Sequence, residues 1–148
     1  MDQGDLYGKI YEVMTNQHFG ILSTVENGIP RASIVAFTVT NNLRKILFLT
    51  KQESRKFQNI AGNPTVNIFV DVRPQTSQYI SGSFGISATG IAKQIDLESA
   101  IATKELYLFC HPSLTEYFDD PSFALMSISV NKYDVTSGIN EVSTYPMK

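Results

Sequence analysis

Three strand-forming runs follow one another directly, joined only by short polar turns, and this succession limits the fold more than any other feature. The first is Phe19-Gly20-Ile21-Leu22-Ser23-Thr24-Val25, which ends at the hairpin signal Glu26-Asn27-Gly28-Ile29. Pro30 opens the second, Arg31-Ala32-Ser33-Ile34-Val35-Ala36-Phe37-Thr38-Val39, and Asn41-Asn42 supplies the next turn. Residues 45–50 form the third. Strands joined this tightly must run antiparallel, because a parallel pair needs a crossover of about a dozen residues or more. The result is a meander.

The remaining pattern adds strands without regular strand–helix alternation. Residues 65–70 alternate apolar and polar side chains. Residues 71–81, with Pro74, read as a loop. Residues 82–94 alternate again, and Gly82, Gly85 and Gly90 suggest bulges or close backbone approach. Residues 123–130 form another strand, Asn131-Lys132 a turn, and 133–139 a last strand. The polar tail from Asn140 is expected to be mobile unless docked.

Helices fall at the margins of this pattern. Leu6, Ile10, Val13 and Met14 recur at helical spacing, predicting a helix over 5–16. A second starts at the N-cap Ser54 and stops near Gly62, placed as a C′ glycine with Pro64 beyond. Asp96 caps a third that runs to about Phe109, and His111-Pro112 ends it. Ser113 begins a further short turn, closed by Asp119-Asp120-Pro121. A doubly wound parallel sheet is disfavoured, and a small antiparallel barrel with peripheral helices fits.

A length of 148 residues suits one domain over 1–148. The net charge of −2 and the lack of a long basic run argue against duplex nucleic acid as a partner. No apolar stretch reaches transmembrane length, so no membrane association is expected, and Met1-Asp2-Gln3-Gly4-Asp5 is acidic rather than signal-like. The single cysteine, Cys110, excludes an intrachain disulfide and predicts a reducing, cytoplasmic setting. With no Trp in the chain, any ring stacked on a ligand is Phe, Tyr or His.

Few residues suggest side-chain catalysis. Cys110 and His111 are chain neighbours, which usually point apart, so a small buried thiol and a helix-ending histidine are expected instead. Two His and one Cys do not make a metal site. Asp119-Asp120 and Asp71 fit turn or cap roles. The Gly-x-x-Gly pattern at 82–85 precedes no helix and so lacks the context of a phosphate loop.

The segment Thr50-Lys51-Gln52-Glu53-Ser54-Arg55-Lys56 is different. It places Arg55 and Lys56 in the first turn of a helix, where the dipole already carries partial positive charge. Two readings stand. Either both side chains point into water, at a cost of about 0.3–1 kcal/mol each, or an anion sits at the free backbone N–H groups. Arg31 supplies a third cation. Counted out from the Asn41-Asn42 turn, it lies level with the Thr50 end of the next strand, so Arg31, Thr50, Ser54, Arg55 and Lys56 could converge on one phosphate. Alone, Arg31 reads as a surface arginine at a strand end.

These residues carry a resemblance. The order Gly28-x-Pro30-Arg31, Ile34-Val35-Ala36-Phe37, Phe48-x-Thr50-x₃-Ser54-Arg55-Lys56 and Asn59-Ile60-x₂-Asn63-Pro64 resembles the pyridoxamine 5′-phosphate oxidase-related flavoproteins, including the small general stress proteins. The likeness extends over about residues 5–140, with Gly82 to Ala92 and His111-Pro112…Phe118-x-x-Pro121 in its later part.

The resemblance implies a mainly β fold, a six-stranded antiparallel FMN-binding split barrel, usually a homodimer with two FMN molecules at the subunit interface. It implies that Arg31, Arg55 and Lys56 hold the FMN phosphate. It also implies that the backbone of Ser33, Ile34, Val35 and Ala36 lines the flavin ring, that Leu49 and Thr50 border the phosphate and ribityl chain, and that the strand from Gly82 lies towards the partner.

The chain departs from the oxidase proper, whose C-terminal segment grips the substrate phosphate through Trp and Arg. Here there is no Trp, no arginine follows Arg73, and 140–148 is too short to match. Vitamin B6 oxidase activity is therefore not expected. The expectation is an FMN-dependent oxidoreductase acting on an unidentified small-molecule substrate, with no catalytic side chain required. The alternatives are a flavin store, sensor or electron carrier, or a barrel holding the deazaflavin F420 or haem.

Overall fold

A computed structural model describes residues 2–72, 84–139 and 141–148. Helix α1 (Gln3–Asn16) is capped by Asp2, whose carboxylate accepts from the Asp5 N–H, and it buries Leu6, Ile10, Val13 and Met14 as its spacing predicts. Strands β1 (Phe19–Glu26), β2 (Ile29–Val39) and β3 (Lys45–Lys51) form the expected meander. The β1–β2 turn places Asn27 and Gly28 at φ 52° and 79°, the left-handed backbone of a tight two-residue hairpin.

Helix α2 (Arg55–Gly62) leads to β4 (Thr65–Val72). Then follow β5 (Phe84–Gln94), α3 (Ile101–Cys110), a 3₁₀ helix (Pro112–Asp119), β6 (Phe123–Ser137) and β7 (Glu141–Pro146). Of the loop expected over 71–81, Asp71 and Val72 belong to β4. The rest of it, and Gly82 at the expected start of the next strand, lie outside the described residues.

The strand order is β3-β2-β1-β4-β5-β6, and β6 pairs back to β3, closing a six-stranded antiparallel barrel. Its interior is packed by alternate residues such as Leu22, Val35, Phe37, Ile46, Phe48, Ile68 and Ile86, with the apolar face of α1 joining the same core. A smaller cluster of Leu47, Tyr107 and Leu125 lies under α3.

Four local expectations are corrected. The Asn131-Lys132 turn is a bulge inside one continuous strand: Thr89 pairs with Lys132 and Gly90 with Val130, leaving Asn131 as the extra residue. Gly90 sits where a Cβ would strike the Ser129 carbonyl, so the strands close up as its lack of a side chain allows. The polar tail forms β7 along the half of β6 that β3 does not use, held by backbone ladders and by half-buried Tyr145 and Met147 packed against the core. Gly62 is the last helical residue, and Asn63 ends α2 with extended backbone. Asp96 caps no helix; its carboxylate accepts from the Glu98 N–H in a turn, and α3 starts at Ile101.

The barrel is split between β2 and β3. Their pairing is confined to Phe37–Phe48, Thr38–Leu47 and Val39–Ile46, so the edge of β2 from Ala32 to Ala36 faces the split. Phe37 donates its N–H towards β1, to the His18 carbonyl, so by alternation the N–H and C=O groups of Ala36, Ile34 and Ala32 point into the split. At its head stands the Tyr107 hydroxyl, which donates to the Ala36 carbonyl at 2.9 Å.

Candidate functional site

A cleft of about 290 Å³ opens where the β1–β2 hairpin meets the start of α2. Arg31, Ala32 and Ser33 of β2 and Thr24 of β1 form one wall, and Arg55, Lys56 and Asn59 of α2 form the other. Thr24 pairs with Arg31 and Leu22 with Ser33, so Arg31 and Ser33 share the inward parity of the core residues but lie at the barrel mouth. Helix α2 is anchored to this wall by Asn59, whose side-chain N–H donates to the Thr24 hydroxyl at 3.1 Å.

Ser54 caps α2 as expected. Its hydroxyl donates to the Lys51 carbonyl at 2.7 Å and accepts from the Phe57 N–H at 3.3 Å. Because its one proton is thus engaged, the contact of 2.9 Å with the Thr50 hydroxyl is donated by Thr50. Thr50 is buried and braces the cap from behind, while Arg55 and Lys56 project into the cleft from the first turn.

Of the ten residues expected from the sequence, the cleft therefore gathers Arg31, Ser33, Arg55 and Lys56. Ser54 and Thr50 support it from behind. The β2–β3 register, extended past Phe37–Phe48, sets Ser54 and not Thr50 across from Arg31. The connection is longer than the Asn41-Asn42 pair, because Leu43, buried at φ 61°, is drawn into it. Ile34 points outward and is 69% exposed, Val35 is buried in the core, the Ala36 carbonyl accepts from Tyr107, and Leu49 packs half-buried against the cluster that holds Tyr107.

The sequence reading missed Glu26. Its carboxylate accepts from Arg31 Nε at 2.8 Å through one oxygen and lies 3.7 Å from Arg55 Nε through the other. The pairings Glu26–Ile29 and Thr24–Arg31 make Glu26 and Arg31 diagonal neighbours, so this contact was legible from the Asn27-Gly28 turn. Thr24 and Asn59 carried no such signal, because their meeting depends on how α2 docks.

Other chemistry stays bland. His111 is buried, and its Nε2–H donates to the Phe37 carbonyl at 2.7 Å, leaving it as the residue that ends α3 beside a half-buried Cys110. Asp120 accepts from the N–H and hydroxyl of Ser122, which hold its carboxyl below the usual range, with Lys51 adding to the effect. Among the described residues no group of His, Cys, Asp and Glu could hold a metal ion, and no helix is long and apolar enough to cross a membrane.

On the outer face, Ile34, Ile21 and Phe69 lie in one register row across β2, β1 and β4, with Phe19 beside them at 64% exposure. The Phe69 ring lies over Gly85, where a Cβ would strike it.

Comparison with known proteins agrees with this architecture. The sequence model of a family described as pyridoxamine 5′-phosphate oxidase matches residues 7–135. No curated protein matches the sequence. Among solved structures, a heme binding protein from Mycobacterium smegmatis superposes with a TM-score of 0.81 at 16% identity, covering 93% of this chain, which spans 56% of that protein. General Stress Protein 26 from Bacillus anthracis gives a TM-score of 0.71 at 21% identity over 96% of this chain and 98% of that one. A FAD-binding protein from Mesorhizobium loti gives 0.65 at 15% identity over 86% and 91%. At these identities the structural likenesses show the fold.

Proposed function

This chain belongs to the pyridoxamine 5′-phosphate oxidase family, and from that premise we propose that it is an FMN-dependent oxidoreductase. In this reading it binds the FMN phosphate in the cleft of Arg31, Arg55 and Lys56. The observation that carries the reading is the convergence of three cations from two elements on one cleft beside an unpaired strand edge. Arginine forks suit phosphate oxygens, Lys56 adds a point charge, and the α2 N-terminus contributes backbone donors. The donor set therefore fits a phosphate-bearing cofactor.

FMN supplies the redox chemistry when bound. The chain's residues bind, orient and shield. Arg31, Arg55 and Lys56 fix the phosphate. Within Ser33 to Ala36, Ile34 offers its N–H and C=O and Ala36 its N–H to the polar edge of a flat ring, while the groups of Ser33 and Val35 are turned towards β1. Tyr107 keeps that edge from closing onto β3. No side chain is assigned a proton transfer. The substrate is a small molecule.

The apolar row Ile34–Ile21–Phe69 on the outer face supports a homodimer in which a second copy covers it and the cofactor lies at the interface. The single cysteine supports a cytoplasmic setting.

The test is the absorption spectrum of the purified protein, followed by extraction and mass spectrometry of any bound ligand. FMN is expected. Deazaflavin or haem would replace the cofactor assignment, and a colourless protein that takes up no added FMN would overturn it. Steady-state NAD(P)H oxidation separates an enzyme from a flavin store, sensor or carrier.

A further inference from the structure

Glu26 sets an anion against a site that otherwise gathers cations. Its two carboxylate oxygens are divided between two arginines, at 2.8 Å from Arg31 Nε and 3.7 Å from Arg55 Nε. Ion pairs this exposed, with the arginine side chains 49% and 68% accessible, add little to stability. A carboxylate beside a bound phosphate also repels it. A residue that weakens the site by its charge needs a compensating effect, and the contact geometry supplies one.

Both contacts are made at Nε, on the flank of the guanidinium. A two-pronged contact with a phosphate can still be made end-on, through the two Nη groups, which a contact at Nε leaves available. Glu26 is the last residue of β1, and Asn27 and Gly28 are locked in a tight turn, so its carboxylate has a fixed origin relative to Arg31 on the paired strand. Arg55 comes from α2. One carboxylate thus ties a hairpin arginine and a helix arginine into a common orientation.

We propose that Glu26 is the positioning residue of the cleft: it grips Arg31 and Arg55 by their Nε flanks and so presents their Nη edges together to a phosphate monoester. The proposal rests on the reading of the cleft as a phosphate site. Glu26 touches no phosphate itself. The opposite role, a built-in competitor that occupies the site until phosphate displaces it, predicts the reverse sign on removal.

The test is titration of the apoprotein with FMN and with riboflavin, which lacks the phosphate, followed by flavin fluorescence. Glu26→Ala should weaken FMN binding about tenfold, the scale of one charge-assisted hydrogen bond, and leave riboflavin binding within about twofold. Glu26→Gln should recover part of the loss, because its amide oxygen still accepts from Nε. In an Arg31→Ala/Arg55→Ala background, Glu26→Ala should weaken FMN no further. Unchanged or tighter FMN binding by Glu26→Ala overturns the proposal, and so does an equal loss for riboflavin. If the unsubstituted protein does not distinguish FMN from riboflavin, the phosphate reading itself fails and takes this inference with it. Thermal melts of each variant confirm folding, and Glu26→Gln, nearly isosteric, serves if Glu26→Ala does not fold.

Discussion

The Tyr107 hydroxyl donates to the Ala36 carbonyl at 2.9 Å, one residue beyond the last rung that joins β2 to β3. Leu49, half-buried, packs against the cluster that holds the same side chain. Continued by one step, the β2–β3 register would pair Ala36 with Leu49. A phenol from α3 therefore stands where the next rung of the barrel would form, occupying the Ala36 carbonyl and holding the strands apart. The split that exposes the edge of β2 begins at this wedge.

Removing the hydroxyl tests the wedge. Tyr107 is fully buried, so Tyr107→Phe leaves the Ala36 carbonyl without this partner, at a cost of about 1–3 kcal/mol. Melting temperature should fall by about 2–4 °C per kcal/mol for a chain of this size. A variant that melts at or above the unsubstituted protein would show that the rung re-forms freely.

Tyr107 and Tyr133 also predict the alkaline limit of stability. Burial pushes both phenols up, against a smaller opposing effect of the Leu49 N–H at Tyr107 and with a further push from Tyr7 at Tyr133. Tyr133 donates to the Leu43 carbonyl at 2.7 Å, so it too is engaged as a neutral donor. Both pKa values are raised in the folded state, so their contribution is fully present below the unfolded value of about 10 and is lost as pH rises above it. Stability should fall by up to about 1.4 kcal/mol per pH unit for each tyrosine. Denaturant melts across this range measure the slope, and Tyr133→Phe should reduce it.

The cations of α2 are tested together. Arg55→Ala combined with Lys56→Ala should lower FMN affinity at least about tenfold, since charge-assisted bonds contribute about 1.5–3 kcal/mol each. The melting temperature should barely move, because Arg55 is exposed and Lys56 only half-buried at the helix start. Unchanged affinity would remove both residues from the site.

The outer apolar row makes a prediction about assembly. Light scattering should find a dimer of the unsubstituted protein, and Ile34→Glu, at the most exposed position of that row, should give a monomer. A monomeric unsubstituted protein would leave the row without its second copy.

The meander, the marginal helices and the Ser54 cap were legible in the sequence, because local turn chemistry and side-chain periodicity decide them. Arg55 and Lys56 stood out as cations at the wrong end of a helix, and Arg31 joined them through strand order. What escaped was non-local. Asn131 looks like a turn residue because a bulge leaves it unpaired in the β5–β6 ladder, which only the β5 register reveals. The tail reads as polar because most of its side chains are exposed, although its backbone is paired and Tyr145 and Met147 pack on the core. Tyr107 acts seventy-one positions from Ala36 in sequence, and nothing near it signals a wedge.

The most direct test of the central claim, that the Arg31–Arg55–Lys56 cleft holds a phosphate, compares FMN with riboflavin on the apoprotein under identical conditions. The two share the ring and ribityl chain and differ only in the phosphate. FMN is expected to bind at least about tenfold more tightly, with the advantage shrinking as salt screens the exposed cations. Equal affinities would contradict the account.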